Sequence, residues 1–190
     1  MGTTTADLPG RRLGPPGTYI RSADPPAGPA PALTSSVPAF IGFTDAEPRG
    51  PDRRDQPAVV LTRWDPPLFF RSVAPAAGSF LPMAVQGFFA NGGERCVIIT
   101  VPRHYGVKGL LTVLEPDGSL EDRSDIDLLC IPDAGMSESD RGGDHYQVQI
   151  AALRHCERMQ NRFAILDTSP TSDARDLPLI EKAQGAIAQL

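Results

Sequence analysis

Few side chains in this sequence combine a type and a spacing that could do chemistry. Asp133 follows the expected strand 126–131, and Asp167 follows Arg162-Phe163-Ala164-Ile165-Leu166. If both runs are strands of an open α/β sheet, both carboxylates fall at strand carboxyl ends, where ligands gather, and together they could hold a divalent cation. An aspartate after a strand is equally a turn residue or a helix cap, and neither has a Gly-rich phosphate loop beside it. A small cytosolic α/β enzyme or ligand-binding domain built on Asp133 and Asp167 is therefore one reading of the chain. His155-Cys156 has the composition of a nucleophile pair, but adjacent residues on a helix point about 100° apart and cannot form a dyad. His104 follows a strand end and His145 a loop, and neither is paired with a nucleophile. Cys96, Cys130 and Cys156 are odd in number, far apart and set among Val, Ile, Leu and Ala. They read as small core hydrophobes, because a disulfide framework or a zinc site would need closer, paired spacing. The chain has no Gly-x-Ser-x-Gly elbow, no Gly-Lys-Ser/Thr loop and no Gly-x-Gly-x-x-Gly after a strand. No catalytic residue and no cofactor is implied.

The elements that would position these residues alternate between strand and helix. Val37-Pro38-Ala39-Phe40-Ile41-Gly42-Phe43 reads as a first buried strand and Ala58-Val59-Val60-Leu61-Thr62 as a second. Ser79 is expected to cap a helix with Pro82 in its first turn and Phe80, Ala84, Gly87 and Phe88 at helical spacing; Asn91-Gly92-Gly93 ends it. Cys96-Val97-Ile98-Ile99-Thr100-Val101 is a continuous apolar run, the pattern of a strand covered on both faces. After a linking segment come a strand at 126–131, a polar loop at 136–144, a helix at 146–159 with Tyr146, Ile150 and Leu153 on one face, and a strand at 162–167. A last helix, 177–190, sets Ile180, Ala183, Ile187 and Leu190 on one stripe. The expectation is an α/β domain, its sheet largely parallel or mixed and flanked by helices.

The amino-terminal part is different. The chain of 190 residues contains 18 Gly and 20 Pro, and prolines at 9, 15, 16, 25, 26, 29 and 31 fix φ and remove donors throughout residues 1–36. Only Gly17-Thr18-Tyr19-Ile20-Arg21-Ser22 favours a pleated conformation. It has no hairpin partner, so it would gain stability by adding to a sheet edge of its own domain or of another subunit; the alternative is a loose tail in which Tyr19 is incidental. The expected organisation is an extended arm, 1–36, followed by an α/β domain, 37–190.

The net charge of -5 and the lack of a Lys/Arg stripe argue against nucleic-acid binding. No apolar run approaches the roughly 20 residues that span a bilayer, and the first twelve residues do not resemble a signal peptide, so no membrane partner is expected. Phe69, Phe70, Phe80, Phe88 and Phe89 concentrate just before the long apolar strand. Adjacent Phe88 and Phe89 on one helix should not both face the same core centre, which makes one of them a candidate contact with a second subunit.

Five blocks occur in the order seen in one known family. They are Pro16-Gly17-Thr18-Tyr19-Ile20; Thr34-Ser35-Ser36-Val37-Pro38-Ala39-Phe40-Ile41-Gly42-Phe43; Phe80-Leu81-Pro82-Met83-Ala84-Val85-Gln86-Gly87-Phe88-Phe89-Ala90-Asn91-Gly92-Gly93-Glu94-Arg95-Cys96; Asp127-Leu128-Leu129-Cys130-Ile131-Pro132-Asp133; and Cys156-Glu157 through Arg162-Phe163-Ala164-Ile165-Leu166-Asp167. In these blocks the chain resembles the tail sheath proteins of contractile phages and related contractile injection systems, and the Gly-Phe-Phe-x-Asn-Gly-Gly word is the most specific of them. The resemblance implies a structural subunit, not an enzyme: hexameric rings in a helical array around an inner tube, neighbours linked by exchanged arms that add strands to one another's sheets, and residence in the bacterial cytoplasm before release or in a virion tail. Family members extend well past the Arg-Phe-Ala-Ile-Leu-Asp block into a part that carries the reciprocal arm and the tube contact. A short form is therefore expected to offer an arm without continuing the mesh and to sit at an end of an assembly, with tube contact the less expected of its partnerships.

Overall fold

The computed structural model describes residues 36–47, 58–136 and 143–167. The arm strand expected at residues 17–22 and the helix expected at 177–190 lie outside the described residues. The chain divides between Leu33 and Thr34, and every described residue belongs to the second unit.

Strand β1, Pro38–Thr44, is buried along its whole length. Such a strand must be central, and β1 pairs in parallel with β3, Cys96–Pro102, on one side and with β4, Leu128–Cys130, on the other. Strand β5, Phe163–Ile165, adds in parallel outside β4. Strand β2, Val59–Leu61, pairs antiparallel with β3, so the order is β2-β3-β1-β4-β5 and the sheet is mixed. The expected α/β class with a largely parallel or mixed sheet is what the chain forms.

Period-two alternation divides the two faces. Ala39, Ile41, Phe43, Val97, Ile99, Val101 and Leu129 point into one cluster under helices α3, Gly106–Leu114, and α4, Gly143–Met159. Phe40, Cys96 and Ile98 point into the other, under α1, Pro66–Val73, and α2, Leu81–Ala90.

Helices α1 and α3 were not expected. α1 opens with Asp65, whose carboxylate accepts from the Leu68 amide at 3.1 Å, followed by prolines at the first two helical positions. α3 occupies the segment read as a link. Its buried Gly109, Leu110, Val113 and Leu114 follow the i, i+3, i+4 rule, but a glycine in the apolar stripe weakens the pattern. Gly109 is needed there, because a Cβ would overlap the side chains of Val101 and Tyr105.

The expected face of α4 is also corrected. Val148 and Ala152 are buried together with His145, Gln149 and His155, whereas Tyr146, Ile150 and Leu153 are half-buried. A stripe of two histidines and a glutamine does not read as core; it goes inside because backbone carbonyls from other segments accept its hydrogen bonds.

Candidate functional site

Asp133 sits in a short 3-10 turn, Pro132–Gly135, just after β4, and is completely buried. Its Oδ2 accepts from the Phe43 amide at 2.7 Å and from the Ser79 hydroxyl at 2.7 Å, and its Oδ1 accepts from the Phe80 amide at 2.7 Å. Three donors from two other segments satisfy the carboxylate, which supports burial of an acid. Gly42 makes the approach possible, since a Cβ there would stand 2.7 Å from Oδ2 and 3.0 Å from Leu81. Ser79, expected as the cap of α2, is corrected by one position: the cap residue is Phe80, and Ser79 stands just before it, accepting from the Leu81 amide at 3.1 Å while its own hydroxyl is given to Asp133.

Six residues earlier, Asp127 performs the same task at the opposite end of β1. Its Oδ2 accepts from the Val37 amide at 3.0 Å, its own amide donates to the Val37 carbonyl at 3.0 Å, and its carbonyl accepts from the Phe163 amide at 2.9 Å. The two carboxylates bracket β4 and bind the amides of Val37, just before β1, and Phe43, near its end. A one-residue slip would break both contacts and send every side chain of β1 to the wrong face.

Asp167 has a different role. The backbone carbonyl of Asp167 receives the side-chain amide of Gln149 and lies 2.9 Å from His145 Nε2. Among the described residues, no group of three or more His, Cys, Asp or Glu is arranged to hold a metal ion. The proposed cation pair is thus corrected. Asp133 is a structural carboxylate whose oxygens are already engaged, and Asp167 contributes a carbonyl to the packing of α4.

His155, fully buried, lies with Nδ1 3.2 Å from the Leu114 carbonyl and Nε2 3.2 Å from Arg162 Nη1. Arg162 donates further to the carbonyls of Leu120 and Arg123, at 3.2 and 2.6 Å. The Arg162 guanidinium can only donate, so Nε2 accepts from it, while Nδ1 lies between the Leu114 carbonyl and Arg158 Nη2, 3.1 Å away. Burial, and then the charges of Arg162 and Arg158, hold the imidazole below its ordinary range. Arg158 is balanced by Glu121, at 3.0 Å, and that contact lowers the Glu121 carboxyl. On Asp125 the contacts with Arg123 and Arg95 outweigh the upward push of burial, so its carboxyl also falls. The cluster has no nucleophile. Burial pushes the thiols of Cys96 and Cys130 up to about 12 and raises that of Cys156, which disfavours the thiolate at each. His104 is exposed against the Tyr105 ring.

Phe88 and Phe89 are not divided between core and solvent as expected: both are half-buried against the cluster under α2, their rings meet edge to face at 5.2 Å, and Phe88 meets Phe40 at 5.9 Å. Gly93 lets the Phe88 ring lie flat on the returning chain, since any Cβ would overlap that ring, and Gly92 takes the positive φ of 88° that reverses the backbone. The Gly-Phe-Phe-x-Asn-Gly-Gly word is a helix end folded over its own aromatic side chain. Among the described residues, the large apolar side chains that face outward are elsewhere: Val60 on β2, Phe70, Phe80 and Met83 on or next to α1 and α2, and Phe163 and Ile165 on β5. Sequence reasoning missed Asp127 and the exposure of β5; neither carries a local signal, because each depends on which strand lies next to β4.

Among the described residues no helix is long and apolar enough to cross a membrane. No protein-family model matches the chain, and no curated protein matches it. Among solved structures it is similar to the helical sheath of the anti-feeding prophage in its contracted state, determined by cryo-electron microscopy, at 21% sequence identity with a TM-score of 0.49. The similarity covers 84% of this chain and 41% of that one, so the chain spans less than half the length of the sheath protein it is similar to.

Proposed function

We propose that the chain is a structural subunit of a contractile sheath, assembling with other sheath subunits in a helical, hexameric array around an inner tube. The observation that carries the reading is the set of five sheath-like blocks in family order, three of which meet at a single atom group: Gly42-Phe43, Phe80-Leu81 and Asp133 come together where the Asp133 carboxylate accepts from two of those segments. Blocks that converge on one buried carboxylate specify a fold jointly, which unrelated short matches would not do. In this reading Gly17, Thr18, Tyr19, Ile20, Arg21 and Ser22 form a strand added to the sheet of a neighbouring subunit, while the half-buried rings of Phe88 and Phe89 contribute to a lateral contact. Proline on both sides keeps such an arm extended, so subunits can rotate about it while main-chain hydrogen bonds persist.

The test is assembly. Negative-stain electron microscopy and sedimentation of the chain, alone and mixed with a full-length contractile sheath protein, are expected to show polymers or mixed particles that disappear when residues 1–33 are deleted. A monodisperse monomer that leaves the length of the full-length polymer unchanged at all ratios would overturn the proposal.

A further inference from the structure

Among the described residues, β5 ends the sheet at an open edge. Leu129 and Ala164, paired across β4 and β5, point toward α4. The alternate residues Phe163 and Ile165 point the other way, where they are 78% and 51% exposed. The Phe163 amide donates to the Asp127 carbonyl, toward β4. Along a strand successive residues turn their main-chain groups to opposite sides, so the N–H and C=O of Ala164 point away from β4. Among the described residues nothing pairs with these two groups. Sheet edges are commonly blunted by exposed charges, prolines or bulges. Between 162 and 166 there is no proline, lysine or acid, and the one charge, on Arg162, is turned inward to the carbonyls of Leu120 and Arg123.

This edge is complementary to itself. An antiparallel pairing of two copies about a twofold axis at Ala164 makes Ala164 its own partner, and the two copies exchange both main-chain hydrogen bonds there. Phe163 of each copy then stands opposite Ile165 of the other, in the non-hydrogen-bonded position where Cα atoms come within about 4.5 Å and side chains meet most closely. An aromatic ring against a β-branched side chain is a favourable cross-strand pair. The twofold makes that pair twice, both times on the uncovered face. Two residues further out, Asn161 comes opposite Asp167 of the second copy, an amide against a carboxylate, so no like charges meet. A parallel pairing in register would set the two Asp167 carboxylates side by side.

We infer that β5 is a docking edge for a second copy of this chain, which adds its own β5 antiparallel about Ala164 and joins the two sheets into one. The contact is small, one hydrogen-bonded pair flanked by two Phe–Ile pairs, so the association is reversible and depends on concentration. The inference rests on the sheet edge alone and is independent of the sheath reading.

Disulfide trapping on the full chain tests it, because trapping reads the register directly. A Phe163→Cys chain mixed with an Ile165→Cys chain is expected, under mild oxidation, to link its introduced thiols at least tenfold faster than either variant alone, with the link located by peptide mass spectrometry. Hydrogen–deuterium exchange gives a second measurement at the same strand. Uptake in 162–166 is expected to slow as the protein is concentrated about a hundredfold, to lose that dependence in Phe163→Lys, and to regain it when Ile165→Glu is added, since each lysine then faces a glutamate across the twofold. Both positions are exposed, so these substitutions leave the core untouched. Linking that is equally fast in the Phe163→Cys chain alone would overturn the inference by removing the antiparallel register. Absence of linking in every sample, or uptake in 162–166 indifferent to concentration, would overturn it by removing the contact.

Discussion

The residue that best separates structure from chemistry is Asp133. From its place after an apolar run it could have been a ligand or a cap, and its surroundings decide: both oxygens are filled by protein donors. Replacing it with alanine strands the amides of Phe43 and Phe80 in a buried site, at about 1–3 kcal/mol for each unpaired group, so Asp133→Ala is expected to lose roughly 3–5 kcal/mol in urea unfolding. A loss below about 1 kcal/mol would mean that the clamp is dispensable. His155 predicts a pH dependence. Its folded-state pKa lies below the ordinary imidazole value because burial and two arginines oppose its charge, so the unfolded chain binds more protons between the two values. The stability contributed by neutral His155 is complete above about pH 6.5 and falls as the pH drops through that value toward the folded-state pKa. The lowered carboxyls of Glu121 and Asp125 act in a separate, more acidic window: their contribution is present above the usual carboxylate range and is lost as the pH falls through their folded-state values. Denaturation midpoints of His155→Gln are expected to be flatter than those of the parent between about pH 7 and 5.5; equal slopes would place the titration elsewhere.

At the scale of elements, two glycines of α2 and its exit should respond in opposite directions. Gly87 has nothing within 4 Å of a built Cβ, so Gly87→Ala is expected to raise stability by about 0.5–1 kcal/mol through the lower entropy of the unfolded helix segment. Gly93 faces the ring of Phe88, so Gly93→Ala is expected to cost about 1–3 kcal/mol as the ring is displaced. Thermal unfolding of the two variants side by side checks the contrast, and a matched response would show that Phe88 can move freely. Elements were legible in proportion to how much of their pattern is local. β1 and β3 are long apolar runs, and the exit of α2 announces itself in Asn91-Gly92-Gly93. α1 was hidden by brevity although Asp65-Pro66-Pro67 signals its start, and α3 by the glycine that lets it approach Val101. On α4 the apolar period pointed to Tyr146, Ile150 and Leu153, but the sheet buries His145, Gln149 and His155 because partners for their polar atoms wait at Asp167, Leu114 and Arg162.

At the scale of the whole molecule, the described side chains of both hydrophobic clusters lie within residues 37–164. If the arm serves a neighbouring subunit as proposed, the truncation that tests assembly leaves the body intact: the chain without residues 1–33 is expected to melt within about 2 °C of the parent and to form none of the polymers proposed for the parent. A large fall in Tm would mean that the arm serves its own domain. Alternation of apolar runs with helical stripes, the proline-rich leader and the order of its blocks were determined by the sequence itself, because strand and helix periods and the restrictions of proline act over a few residues. The order β2-β3-β1-β4-β5, the closure of Asp127 and Asp133 on opposite ends of β1, the burial of a polar stripe on α4 and the exposure of β5 were decided only by the tertiary structure, because each joins groups tens of residues apart whose pairing has no local trace.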